Sequence, residues 1–162
     1  MVERRDIGSW LGGTPEGPAA AGLPDEGGGS AAGLARRFVA LCVDWLACLL
    51  VSAALFPSSG GAGGVPVVGG DATATLAIFA VENVVLVGTI GCTLGHRLLG
   101  LRVRRLVLAD DGAASPDDGR SPGIGRAAVR TALLCLVVPA AVQDGIGRGL
   151  HDRVAGTAIV RR

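Results

Sequence analysis

Three ionisable side chains stand inside otherwise apolar runs of this sequence: Asp44, Glu82 and Arg130. A carboxylate or guanidinium at the centre of a bilayer costs about 3 kcal/mol on insertion scales, so such residues pair with one another, bind a ligand, or exchange ions and protons. Depth decides which of them can meet. Asp44 lies seven residues past Arg37, which in a helix is about 10 Å inside the boundary that a basic pair marks. Arg130 is a few residues into its own run, at a similar depth, whereas Glu82 is roughly 18 Å from the inner end of its run. Asp44 is therefore expected to pair with Arg130, or with Arg37 reaching in from the boundary. Glu82 has Asn83 and few other polar neighbours at its level, and a protonatable carboxylate near the midplane is the kind of group a proton-coupled carrier needs. The plainer reading of the same residues is one Asp44–Arg130 ion pair that fixes helix packing, with Glu82 hydrogen-bonded to a neighbour.

The elements that must hold these residues are apolar helices. After Arg36-Arg37 comes FVALCVDWLACLLVSAALF, nineteen residues from Phe38 to Phe56, close to the roughly 20 that cross a bilayer core. A first transmembrane helix is expected over about 36–56. A Gly-rich loop without arginine follows, then a second helix over about 72–94 that contains Glu82. Its end, Gly91-x-x-x-Gly95, has the small-residue spacing that allows close helix approach. The loop 95–123 opens with Arg97, Arg102, Arg104 and Arg105. Basic loops stay in the cytoplasm, so the expected orientation has the N-terminus inside and the first loop outside. The third apolar run, within 126–142, is short and holds Pro139. It reads as a broken, re-entrant or interfacial helix that leaves the tail 143–162 inside, where Thr157–Val160 pairs with Leu101–Leu108 as strands; the alternative is a third span with the tail outside. Leu101–Leu108 is expected to end at an Asp110-Asp111-Gly112 turn.

Composition narrows the class. Of 162 residues 49% are hydrophobic and only 3% aromatic, with 27 glycines, which fits a small integral membrane protein better than a water-soluble core. The expected fold is thus an all-α integral membrane protein with two transmembrane helices, a third short helix and a small β pairing. Residues 1–33 hold nine Gly and three Pro and read as a disordered cytoplasmic tail in which Trp10-Leu11 touches the membrane or a partner, or is incidental. A cleaved signal peptide fits poorly with that long polar lead and with Asp44 inside the run. The net charge of +1, with basic residues spread along the chain, gives no reason to expect nucleic acid. Cys42, Cys48, Cys92 and Cys135 lie in apolar runs without a C-x-x-C pair and read as small buried hydrophobes, neither disulfides nor metal ligands. His151-Asp152 resembles a fragment of a metal-dependent phosphohydrolase motif, but the only other histidine is His96, so no enzyme, metal or cofactor is expected. The expected partners are the lipid bilayer and a second copy or another membrane protein.

Several blocks together resemble the RDD family of bacterial membrane proteins. They are Arg36-Arg37 with Ala40 and Asp44-Trp45, then TLGHRLLGLRV from Thr93 to Val103, then LHDRVAGTAIV from Leu150 to Val160. SWLGG at Ser9 to Gly13 and the LPDEGGGSAAG segment resemble the actinobacterial branch. The resemblance implies that the family's arginine is Arg37 and its two aspartates are Asp44 and Asp152, with Glu82, Arg130 and His151 as accessory residues by the reading above. It implies a multi-pass protein of the bacterial inner membrane, with ion-linked or small-solute transport as an oligomer suspected. The rival expectation is a membrane scaffold or accessory subunit. His96 stands where many members carry lysine. With Arg37 and Asp152 both at the cytoplasmic face, the C-terminal His-Asp turn is expected to dock under the first helix and pair with its arginine.

Overall fold

The computed structural model describes residues 23, 27–57, 70–108, 114–116, 120–136 and 149–162. Two long helices dominate it. α1 spans Leu34–Leu55 and α2 spans Ala72–Ile90, and both have the length and composition to cross a membrane. Only 22% and 28% of their most apolar windows are buried, so the outward faces carry Leu46, Leu50, Val51, Val81 and Val85 into the surroundings. A soluble core helix would hide those side chains; a lipid-facing one need not.

The two helices are tied at both ends. At one end Asp71 caps α2 by accepting from Ala74 N, and Ser52 donates to the Asp71 carbonyl at 3.0 Å. At the other, Gly91 takes a left-handed φ of 73° and stops α2. Glycine adopts that conformation at no steric cost. The expected helix to 94 therefore ends four residues early, and a short α3, Leu94–Leu98, begins at once.

Beyond α3 comes the expected small β pairing, extended to three strands. β1 (Leu101–Leu108) pairs antiparallel with β2 (Ala114–Pro116) and β3 (Thr157–Arg161), in the order β2-β1-β3. The expected pairing of Leu101–Leu108 with the tail is present, in the register Val103 opposite Ile159. The Asp110-Asp111-Gly112 turn lies outside the described residues. On its far edge β3 receives the segment before α1: Ala31 bridges Val160, and Ala32 N donates to Ile159 O at 3.0 Å. Residues 27–33 are thus placed against the sheet, which shortens the expected tail; Trp10-Leu11 lies outside the described residues. The start of α1, the end of α2 and the C-terminal strand are consequently joined on one side of the helix pair.

Between β2 and β3 come α4 (Ile124–Cys135) and α5 (Leu150–Ala155). The described part of the third apolar run is the twelve-residue α4; Pro139 and the rest of the expected helix lie outside the described residues. α4 packs on α2 at Gly88, where a Cβ would meet Ile124 within 3.0 Å. Small side chains and strand residues fill the junction: Ala40, Val87, Leu101, Val103, Ala127 and Ile159 are buried together. Of the cysteines, Cys48 and Cys92 are buried as expected, but Cys42 is exposed on the outward face of α1.

Candidate functional site

Asp44 is buried on α1 and faces the link between α2 and α3. Helix starts present N–H groups without intrahelical partners, and Thr93 is the N-cap of α3. Gly95 N donates to Asp44 Oδ1 at 2.6 Å, and Thr93 Oγ1 lies 2.5 Å from Asp44 Oδ2. The approach needs glycine: a Cβ on Gly95 would overlap the Ala40 carbonyl of α1. The Gly91-x-x-x-Gly95 spacing therefore does serve close packing, but as a helix stop followed by a contact, not as a stripe on one helix.

Thr93 Oγ1 is also 2.6 Å from His96 Nδ1, and a hydroxyl has one hydrogen to give. When it points to Asp44, His96 Nδ1 can donate to the hydroxyl oxygen only by giving up the 3.4 Å bond that it accepts from Thr93 N. When it points to His96, the Asp44 carboxyl must itself supply a proton. Asp44, Thr93 and His96 thus form one continuous hydrogen-bonded line. Burial, reinforced by the positive Arg130, pushes the His96 pKa down to about 3, so its imidazole is neutral at pH 7.

A second buried cluster closes the same region from below. Arg130 of α4 places Nε 2.6 Å from Asp152 Oδ1, and Thr157 Oγ1–H donates to that oxygen at 2.8 Å. His151 Nε2 stands 3.3 Å from Asp152 Oδ2. Burial alone would raise the Asp152 pKa, but the Arg130 guanidinium and the His151 ring outweigh it and hold the carboxyl far below the usual range. Arg37 crosses from α1 to β3, donating from Nη2 to the Ile159 carbonyl at 3.3 Å.

Between the two clusters is a cavity of about 550 Å³ into which Arg37, Asp44, Asn83, His96, Arg130 and His151 converge. Four of these six, Arg37, Asp44, His96 and His151, sit in the segments that the sequence blocks already marked; Asn83 joins them from α2 and Arg130 from α4. The expected Asp44–Arg130 pair is replaced: α3 reaches Asp44 first with Thr93 and Gly95, and α5 brings Asp152 onto Arg130. The expected docking of the His-Asp turn under α1 with an Arg37–Asp152 pair is replaced as well: α5 packs on α4, where Asp152 meets Arg130, and Arg37 donates to β3 at the Ile159 carbonyl. Glu82 is elsewhere, between α1 and α2, accepting from Cys48 Sγ at 3.0 Å. Among the described residues no group of three or more His, Cys, Asp or Glu could hold a metal ion.

Thr93, Gly95, Asn83 and Thr157 are the residues that sequence reasoning did not place in the site. One signal was available for two of them. A buried aspartate requires donors, and Thr-x-Gly directly after a glycine helix stop offers a hydroxyl and an open N–H.

The sequence model of the RDD family matches residues 31–156. No curated protein and no solved structure matches the chain.

Proposed function

This chain belongs to the RDD family, a membrane-associated family, and from that premise we propose that it is a multi-pass protein of the bacterial cell membrane that binds and moves an ion or small solute. α1 and α2 cross the bilayer, with the N-terminus, the sheet and the C-terminus on the cytoplasmic side. Two spans cannot enclose a pathway alone, so the protein works as a homo-oligomer or with a second membrane protein, and it is not an enzyme. The observation that carries the reading is the cavity at the inner end of the spans, which gathers Arg37, Asp44, His96, Arg130 and His151 and is reached by the Asp44–Thr93–His96 line. A hydrogen-bonded carboxyl in such a line is suited to coupling proton movement to binding.

A second reading has its own support. Both oxygens of Asp44 and Oδ1 of Asp152 are hydrogen-bonded by groups of the same chain, as expected of packing devices in a scaffold or accessory subunit. Ion flux into proteoliposomes at several pH values separates the two, comparing the native chain with Thr93→Val, Asp44→Asn and Glu82→Gln. Transport predicts pH-dependent flux that Thr93→Val abolishes while the variant still folds in detergent. Flux no greater than that of empty liposomes would overturn transport in favour of the scaffold.

A further inference from the structure

The cavity does not end at its polar groups. Leu41 and Leu134 line both it and a second space of about 600 Å³, an apolar groove walled by Leu46, Leu49, Leu76 and Phe79. Leu41 to Leu49 is eight residues along α1, or about 12 Å of helix. Both volumes lie within the roughly 300–1,000 Å³ of ligand-sized clefts. The groove wall contains no charged residue, and Trp45 and Leu46 beside it are exposed on the lipid-facing side of α1.

Of the two buried carboxylates, only Asp44 lines the chamber; Asp152 is outside the lining and keeps one oxygen, Oδ2, without a hydrogen bond among the described residues, 3.3 Å from His151 Nε2. Both Asp44 oxygens are taken by Thr93 and Gly95, and Asp152 Oδ1 is taken by Arg130 and Thr157. Arg130 is only 2% exposed, yet its Nη1 has no hydrogen-bond partner among the described residues. A buried guanidinium nitrogen without an acceptor is costly, and the acceptor that suits it best is an anionic oxygen. Arg37 and His151 line the same chamber.

We propose that chamber and groove together bind one anionic lipid, its phosphate at Arg130 and one acyl chain along the groove beside Trp45. The assignment rests on the membrane reading of α1 and α2, but not on transport. A free anion would leave the groove empty.

Trp45 reports on the groove once the other tryptophan is removed by Trp10→Phe. The full chain is reconstituted in phosphatidylcholine vesicles containing either brominated phosphatidylglycerol or brominated phosphatidylcholine, and quenching of Trp45 is read as relative affinity. The expected preference for the anionic lipid is about tenfold, the ratio that one charge-assisted hydrogen bond confers. Leu134→Phe, which narrows the neck between chamber and groove, abolishes the preference with the fold intact by circular dichroism. Arg105→Gln, at an exposed arginine on β1, leaves it unchanged. Equal quenching by both lipids overturns the proposal. So does loss of the preference in Arg105→Gln with retention in Leu134→Phe, which would mean surface attraction, and so does its removal by inorganic phosphate, which would mean a free-anion site. Flux without lipid preference removes this assignment and leaves transport standing.

Discussion

His96 shows how the environment, more than the residue type, sets chemistry at this site. Its folded pKa of about 3 lies below the ordinary 6.5, so between those values the unfolded chain binds the proton that the folded one resists. The stability it contributes is complete above about pH 6.5 and falls as pH drops towards 3, with a slope approaching about 1.4 kcal/mol per pH unit near the middle of the window. Asp152 has the opposite charge type but the same sign: its folded pKa is depressed, so its contribution is present above the unfolded value of about 4 and is lost only as pH falls further. Unfolding in detergent from pH 8 to pH 4 should therefore show a decline beginning near pH 6.5, and His96→Asn should flatten the upper part of it. A curve that is level from pH 7 to pH 4.5 in the native chain would contradict the buried, neutral imidazole.

At the scale of elements, the pairing of α1 with α2 is fixed by contacts between unlike residues. Trp45 meets Phe79 edge-to-face with ring centroids 5.4 Å apart, and Cys48 meets Glu82. Edge-to-face aromatic pairs contribute about 0.5–1.5 kcal/mol beyond their buried area. The Cys48 contact gives a direct test of rotation and register. In a chain carrying Glu82→Cys, with Cys42, Cys92 and Cys135 changed to Ala, mild oxidation should join Cys48 to the introduced thiol in a disulfide within one chain, read as protection of both thiols from alkylation. Free thiols after oxidation would mean that the helices present other faces to each other. The sequence indicated two helices by length and apolarity, and a strand pairing by its turn residues and alternation. It did not indicate that α2 stops at Gly91, because a single glycine in an apolar run is compatible with either continuing or ending a helix.

For the whole molecule, the sheet decides topology. The segment before α1, the strand after α2 and the last strand are hydrogen-bonded to one another, so they lie on one side of the helix pair. On the proposed membrane reading of α1 and α2, that common side goes with the expected inward tail and against a third span. Single cysteines in a cysteine-free background test this in intact cells with a membrane-impermeant maleimide. Gly60→Cys should label from outside, and Arg162→Cys only after permeabilisation. Labelling of both from outside would break the common-side arrangement.

By itself the sequence determined that the chain has two bilayer-length apolar helices with carboxylates inside them, and that its blocks at Arg37, Asp44 and Asp152 are those of one family. These follow from local composition and spacing, which a linear reading captures. Only the tertiary structure decided the partners. Asp44 and Arg130 have opposite charge and similar expected depth, and sequence reasoning pairs them for that reason. In the fold, a buried aspartate is satisfied by whichever donors the backbone brings nearest, and these are Thr93 and Gly95 at the start of α3. Arg130 is met by Asp152 because the return of the chain to β1 carries α5 beneath α4. Partner choice depends on contacts between residues far apart in the chain, and no local pattern encodes which of several compatible groups arrives first.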